Sequence, residues 1–248
     1  MQIVKVAVIS DIHANLQALE AVLEEVDRDR HDEIWCLGDA VGYGANPNEV
    51  VEILSERCSL LLIGNHDLAA LDEIEITNFS VNAAEAALWT RKNLTPRTVE
   101  ILRSIEGARA TREAIGLSHA SPRDPIWEYV IDTGVAEENI EFQPERVGMI
   151  GHSHIALFFT RPDEMSRISA AQAPAGTDLN LARGEWLVNP GSVGQPRDGD
   201  PRAAWLSLDT ESMKVGFRRT EYPVEIAAEA IREAALPPTL AERLFAGT

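Results

Sequence analysis

Five short segments of this sequence carry side chains that can bind metal ions, and each follows an apolar, strand-like run. They are Asp11-Ile12-His13, Gly38-Asp39, Gly64-Asn65-His66-Asp67, Ser118-His119 and Gly151-His152-Ser153-His154. Five of the six histidines lie in these segments, whereas His31 lies in an ordinary polar stretch and is expected at the surface. A single Asp-x-His or a single Gly-His-Ser-His is weak evidence. Five such segments that all follow strands together predict a metal site.

The candidate ligands are imidazoles, carboxylates and one carboxamide, and cysteine is absent from them. This mixture suits Mn²⁺, Fe²⁺, Zn²⁺ or Ni²⁺. So many ligands predict two ions, which in such sites lie about 3.5–4 Å apart, clamp phosphate oxygens and lower the pKa of a bridging water. The predicted chemistry is therefore hydrolysis of a phosphate ester by a metal-bridging hydroxide, without a covalent phosphoenzyme.

The spacing of the ligands predicts part of their arrangement. Side chains two residues apart on an extended segment point the same way, so Asp11 and His13 are expected to chelate one ion. His152 and His154 share that spacing. In a two-metal crevice, however, each of them could face a different ion, and spacing leaves both arrangements open.

The elements that must position these residues alternate between strands and helices in the first part of the chain. The predicted strands lie at residues 3–9, 34–37 and 60–63. A loop at 38–47 and a helix at 48–57 are predicted between the second and third strands. Asn15 is the predicted N-cap of a helix with apolar residues at 16, 19, 22, 23 and 26. This alternation predicts a parallel or mixed sheet, and the carboxyl ends of its strands converge on one crevice.

The second part of the chain is predicted to be richer in strands. A helical stretch at 80–105, with a break near Thr95-Pro96, is followed by strands at 113–117, 147–150, 155–160 and 186–188 and by a hairpin at 203–219. A helix at 224–235 and a short helix after Leu236-Pro237-Pro238 complete the prediction. Because 248 residues can form one core and we find no linker, residues 1–248 are expected to form a single domain.

The bulk composition restricts the partners. Lys and Arg number 22 against 40 Asp and Glu, a net charge of -18 that repels long nucleic acids. A small phosphate ester remains compatible, because bound cations reverse the potential inside a cleft. Two cysteines, a short apolar start and no run of eighteen apolar residues favour a cytoplasmic protein that does not span a membrane.

The five segments occur in the order found in the calcineurin-like metallophosphoesterases, and the sequence resembles their small bacterial and archaeal phosphodiesterase-type branch. Asn189-Pro190-Gly191-Ser192-Val193-Gly194 and the following Pro196-Arg197 resemble a further segment of that branch, although the Asn-Pro-Gly-Ser run is also a common turn. The resemblance implies an α/β fold, a four-layer α-β-β-α sandwich with two mixed β-sheets.

The resemblance also implies roles for single residues. One ion would take Asp11, His13 and His154, the other Asn65, His119 and His152, and Asp39 would bridge them. His66 would act on the phosphoryl or leaving group as a catalytic histidine, and Asp67 would orient it. The protein Ser/Thr phosphatases of the family carry an Arg shortly after Gly-Asp; residues 40–44 contain none, which disfavours that substrate class.

The resulting hypothesis is a dinuclear metal-dependent phosphodiesterase acting on a small phosphodiester or nucleotide. The alternatives are a phosphomonoesterase or a nuclease of the same fold, or a non-catalytic scaffold, although a scaffold has no need of the ligands and His66. Arg123 and Trp127 follow His119 and are candidate substrate contacts, with Trp127 equally suited to covering the core.

Overall fold

Two six-stranded mixed β-sheets form the centre of the molecule in the computed structural model, which describes residues 5–248. The first sheet has the order β3-β2-β1-β11-β12-β9, and the second the order β4-β5-β6-β10-β7-β8. The strands of the first sheet are β1 (Lys5–Ile9), β2 (Glu33–Cys36), β3 (Leu60–Leu61), β9 (Asp178–Asn180), β11 (Ala203–Asp209) and β12 (Lys214–Thr220). Those of the second are β4 (Arg109–Arg112), β5 (Ile115–Ser118), β6 (Val147–Met149), β7 (Ala156–Arg161), β8 (Ser169–Gln172) and β10 (Glu185–Pro190).

Helices cover the outer face of each sheet. They are α1 (Leu16–Arg28), α2 (Pro47–Arg57), α3 (Asn65–Ala70), α4 (Val81–Asn93), α5 (Pro96–Arg103), α6 (Thr133–Phe142), α7 (Val224–Glu233) and α8 (Pro238–Ala246). Asn15 caps α1 as predicted, since its side-chain oxygen accepts a hydrogen bond from the Ala18 N–H at 3.1 Å. Thr95, at the predicted break between α4 and α5, caps α5 in the same way, because its hydroxyl accepts a hydrogen bond from the Thr98 N–H.

Three apolar clusters show how the layers pack. β1 contributes to two of them, because successive side chains point to opposite faces of a sheet. Ala7 and Ile9 pack with the helices on the outside of the first sheet. Val6 and Val8 pack against residues of the second sheet, such as Leu117. A third cluster joins α6 to the outer face of the second sheet. The order is helix, sheet, sheet, helix, which confirms the predicted α-β-β-α sandwich.

The strands that lead to the candidate ligands run parallel within each sheet. β2 pairs in parallel with β1 and with β3, and β5 pairs in parallel with β6. Their carboxyl ends therefore open at the same edge, where loops from both sheets meet. β11 pairs antiparallel with β1 and so closes the first sheet on its other side.

Several elements differ from the prediction. The prediction lacked five elements, namely β4, β8, β9, α3 and α6. The strands β4 and β8 carry no sequence signal, because they are largely exposed and lack an apolar alternation. The strand predicted at 113–117 is β5 instead, because Glu113 and Ala114 form a turn with φ of 49° and 61°. Residues 3 and 4 of the first predicted strand lie outside the described residues. Cys36 and Cys58 are both free thiols. In residues 5–248 the structure shows no helix with the length and apolar character needed to cross a membrane.

Candidate metal centre

The seven predicted ligands meet at the edge where the parallel strands of both sheets end. Asp11 and His13 follow β1, Asp39 follows β2, and Asn65 begins α3 just after β3. His119 follows β5, and His152 and His154 lie between β6 and β7. All seven are buried, with exposed fractions from 0% to 5%. Burying so many polar side chains in one place costs free energy unless they are paired or bind an ion.

The backbone at five of these seven positions is left-handed instead of extended. Asp11 and His13 have φ of 54° and 49°, so the expectation that an extended Asp-x-His segment aligns them is wrong. Asp39, His152 and His154 share the same conformation, with φ of 53°, 65° and 60°. Non-glycine residues adopt this region at a cost of about 1–3 kcal/mol each, and such residues cluster at functional sites.

The side chains form two groups with ligand atoms close enough to hold one ion each. Asp11, His13 and His154 form the first group, and Asp39, His119 and His152 the second; within each group the ligand atoms lie within 4.8 Å of one another. His152 and His154 thus belong to different groups, which spacing alone left open.

Asp39 belongs to the second group and also lies close to the first. Its Oδ2 is 3.6 Å from His13 Nε2 and 3.5 Å from His119 Nε2. Asn65 joins the second group, because its Oδ1 lies 3.1 Å from His119 Nε2. His13, Asp39 and His66 also form a close set, so His66 borders the same centre.

Main-chain carbonyls fix the orientation of the histidine rings. Three of the rings donate their Nδ1–H to a carbonyl oxygen. His13 donates to Val41 O at 3.0 Å, His119 to Leu37 O at 3.0 Å, and His154 to Gln195 O at 2.7 Å. His152 hydrogen bonds to the backbone of Trp127. With Nδ1 protonated, each neutral ring presents an unprotonated Nε2 to the centre, as metal-binding histidines do.

The atoms that face the centre fit a cation and lack other partners. His13 Nε2 and His154 Nε2 face each other at 3.0 Å, although both carry lone pairs. His119 Nε2 meets the Asn65 carboxamide, which offers its oxygen as an acceptor. Asp39 Oδ2 and His152 Nε2 are buried without a hydrogen-bond partner. Divalent cations between these acceptors would satisfy all of them.

Burial determines the protonation tendencies of the cluster. It is the main reason why the pKa values of His13, His152 and His154 lie well below the ordinary value, and it lowers the pKa of His119 as well. Burial also raises the pKa of Asp11 to about 7. Neutral imidazoles are the form that binds metal, and a bound cation would favour the ionised carboxylates.

His66 borders the centre, but Asp67 does not orient its ring. The Asp67 oxygens accept hydrogen bonds from the main-chain N–H groups of Val41 and Gly64, at 3.0 and 2.9 Å. His66 Nδ1 is buried without a partner, so the contact expected between the two side chains is not made. Asp67 instead joins the loops after β2 and β3, which carry Asp39 and His66.

The Asn189–Gly194 segment supports the ligand loops. Asn189 Nδ2 donates to Gly151 O at 2.7 Å, next to His152. The Ser192 hydroxyl donates to Asp11 O at 2.7 Å. These contacts give the segment a structural role, which is to hold the loops that carry the ligands.

A cleft of about 260 Å³ opens beside the centre. Its lining includes three residues of the centre, four aromatic side chains and two arginines: Asn65, His66, His152, Tyr43, Phe79, Trp127, Tyr129, Arg197 and Arg243. Trp127, one of the two predicted substrate contacts, lines this cleft.

Arg123 does not line the cleft, which corrects the prediction that it faces the substrate. Its guanidinium pairs with Glu128 and Glu138 on the outer surface. Arg243 carried no sequence signal, because it lies on an ordinary amphipathic helix far along the chain from the motifs. Arg197 belongs to the Pro196-Arg197 pair that resembles the family, and this resemblance was the available sequence signal for it.

Comparison with known proteins identifies the family of the chain. Residues 4–213 match the sequence profile of the calcineurin-like phosphoesterase superfamily domain. The chain belongs to the calcineurin-like phosphoesterase superfamily, and its fold is that of a metallophosphoesterase.

Similar proteins come from archaea and bacteria. The chain is 39% identical to the uncharacterized protein MJ0912 of Methanocaldococcus jannaschii over 247 residues, which cover 98% of each chain. A metallophosphoesterase from Sphaerobacter thermophilus is 37% identical, with a TM-score of 0.90 over 100% of both chains. The hypothetical protein PH1004 of Pyrococcus horikoshii has the same fold, with a TM-score of 0.78, 20% identity and 99% of each chain covered.

Proposed function

We propose that this protein is a dinuclear metal-dependent phosphodiesterase that hydrolyses a small phosphodiester or nucleotide. The observation that carries the proposal is that the two ligand groups meet at Asp39. Its buried Oδ2 lies within 3.6 Å of a histidine from each group. Such a centre is typical of enzymes that hydrolyse phosphate esters with two metals.

The proposed ligands are those that the family resemblance implied. Asp11, His13 and His154 would hold one divalent ion, Asn65, His119 and His152 the other, and Asp39 would contact both. Mn²⁺, Fe²⁺, Zn²⁺ and Ni²⁺ suit this donor set. When bound, the ions would supply a hydroxide nucleophile and neutralise charge on the phosphate.

The protein itself contributes orientation and a hydrogen-bond donor. His66 lines the cleft, and its ring packs against His13 at 4.9 Å and Tyr43 at 4.4 Å between ring centroids. It is therefore positioned to hydrogen bond an oxygen of the phosphoryl or leaving group. The carbonyl contacts of the other histidines hold the ligands in place before substrate arrives, which avoids reorganisation during the reaction.

The other functions considered are less well supported. A nuclease for long DNA fits poorly with a net charge of -18. A non-catalytic scaffold leaves the buried, facing acceptors of the centre unexplained. A phosphomonoesterase would use the same centre, so substrate preference must be measured.

The test is hydrolysis of bis(p-nitrophenyl) phosphate and of p-nitrophenyl phosphate, after EDTA treatment and after return of Mn²⁺, Ni²⁺, Zn²⁺ or Fe²⁺. Metal-restored activity that favours the diester is expected. Asp39→Ala, purified in parallel, controls for a contaminating phosphatase. Preference for the monoester would make the protein a phosphomonoesterase, and folded protein inactive with every metal would contradict the proposal.

We also propose that residues 1–248 form one domain. The support is the pairing of β1 with both β2 and β11, which joins distant parts of the chain in the middle of one sheet.

A further inference from the structure

Arg197 and Arg243 lie side by side at the cleft and share a neutral partner. Nη2 of Arg197 and Nη1 of Arg243 both donate to Gln195 Oε1, at 2.9 and 3.2 Å. Arg197 also donates to the Tyr43 hydroxyl at 3.3 Å, and its guanidinium carbon lies 5.6 Å from the centroid of that ring. Two guanidinium groups thus share one uncharged side-chain acceptor, Gln195.

In the part of the chain that the structure describes, no Asp or Glu side chain pairs with these two charges, and Arg243 Nε donates to the main-chain oxygen of Thr248 at 2.5 Å. The lining of the cleft contains neither Asp nor Glu within residues 5–248. The nearby acids Asp198 and Asp200 pair with other arginines, Arg219 and Arg202. Arg197 Nε is buried without a hydrogen-bond partner. Because the chain as a whole carries a charge of -18, this basic end of the cleft is a local exception.

The ring of Tyr43 contacts both the arginine pair and the edge of the metal centre. The Tyr43 ring contacts His66, with centroids 4.4 Å apart, and it contacts Arg197 as described. The arginines thus border the same cleft as His66 and offer room for a second anionic group beside the phosphate at the centre.

Aromatic rings form another wall of the cleft. Phe79 packs on His66 and on Trp127, with centroid distances of 4.7 and 5.7 Å. Tyr129 stacks on His152 at 4.1 Å and is 47% exposed, so its other surface is available to a ligand. Planar rings of a ligand pack favourably on such side chains.

We propose that Arg197 and Arg243 bind a second phosphate of the substrate, while its aromatic base packs against the rings of Phe79, Trp127 and Tyr129. The substrate class is a nucleotide diester that carries a further phosphate besides the one that is hydrolysed. The inference rests on the proposed function, because it names the substrate of the same centre.

A matched pair of chromogenic substrates tests the second phosphate. Thymidine 5'-(p-nitrophenyl phosphate) is compared with its 3'-phosphorylated form, using protein reloaded with Mn²⁺. We expect kcat/KM to be roughly tenfold or more higher for the 3'-phosphorylated form, because charge-assisted hydrogen bonds to guanidinium are among the strong ones. Arg243→Gln should bring the ratio of the two kcat/KM values close to one. Arg123→Gln, which removes the same charge outside the cleft, should leave the ratio unchanged.

Binding gives a second measurement that does not depend on turnover. Calorimetric titration of the EDTA-treated protein should show tighter binding of thymidine 3',5'-bisphosphate than of thymidine 5'-phosphate, and Arg243→Gln should remove the difference. Equal kcat/KM values for the two substrates in the wild-type protein would overturn the inference. A loss shared equally by both substrates in Arg243→Gln would overturn it too, because the arginines would then act on the hydrolysed phosphate. Absence of hydrolysis with every metal, on protein that still binds the bisphosphate selectively, would instead refute the proposed function.

Discussion

The Nε2 atoms of His13 and His154 face each other at 3.0 Å, while each ring donates its Nδ1–H to a main-chain carbonyl. Two lone pairs at this distance repel one another in a buried site, and a cation between them converts that repulsion into coordination. Metal binding should therefore stabilise the folded protein directly.

Removal of metal is expected to lower the melting temperature. At a metal concentration 100 times Kd, one site adds about 2.7 kcal/mol to the free energy of unfolding. Thermal unfolding with EDTA and with added Mn²⁺ measures the shift, and His154→Ala should show a smaller one. Identical melting temperatures with EDTA and with each candidate metal would contradict the assignment of the centre.

His66→Ala and Asp39→Ala should have different effects. His66→Ala is expected to retain metal but to lower turnover by about 10²–10⁴-fold, the usual contribution of a positioned acid or base. Asp39→Ala should lose metal and activity together, because Asp39 is proposed to contact both ions. Metal content by mass spectrometry and kcat for the diester separate the two cases, with His31→Gln as a histidine variant outside the centre. Full turnover in His66→Ala would show that the role given to His66 is wrong.

Gly42→Ala should impair His66 without removing a ligand. Gly42 has φ of 88°, and a Cβ there would lie 2.5 Å from His66 Nδ1. A displaced catalytic group can cost roughly 100-fold in rate. Gly176→Ala is the matched control, since Gly176 has φ of 83° and a Cβ added there would meet nothing within 4 Å. Comparable kcat losses in both variants would attribute the effect to backbone strain instead of the contact with His66.

Asp67→Asn should destabilise the fold. A carboxamide has one acceptor oxygen, whereas Asp67 accepts from two main-chain N–H groups, those of Val41 and Gly64. One buried donor would be left unpaired, at a cost of about 1–3 kcal/mol. Urea unfolding in EDTA measures the loss, and Glu75→Gln, at an exposed acid of the following loop, controls for charge removal. Equal stability of Asp67→Asn and wild type would exclude this role.

His31 should make stability depend on pH. It is half-buried, with hydrogen bonds to Val26 O and to the Ser207 hydroxyl, so the expectation of a simple surface residue is corrected. Burial lowers its pKa in the folded protein. The unfolded state therefore binds the proton more readily, and stability is lost as pH falls below about 6.5, the ordinary value of histidine.

His31→Gln removes this proton-binding group. We expect its free energy of unfolding, measured in EDTA, to decline less than that of the wild type between pH 7 and pH 5. A parallel decline in the two proteins would rule out a contribution from His31.

The sequence predicted the framework of the site because its signals are local. An apolar run that ends at Asp11 or Asp39 indicates both the strand and the place of the ligand. The left-handed backbone of those residues was not predictable, because no glycine marks it. The role of Asp67 was mistaken because adjacency to His66 says nothing about which N–H groups the carboxylate reaches.

Contacts between distant residues explain the remaining differences. Arg123 is near His119 in sequence, but Glu128 and Glu138 hold it on the surface. Arg243 reaches the cleft through the packing of α8, which no local pattern records. Exposed strands such as β8 depend on pairing with a neighbour, and their own residues carry little strand signal.

The central place of β1 also affects the order in which the protein can assemble during translation. All seven candidate ligands lie between residues 11 and 154, whereas the strand that covers the other edge of β1 begins at Ala203. A nascent chain therefore exposes the complete ligand set before this edge is closed, and an open strand edge invites pairing with other chains.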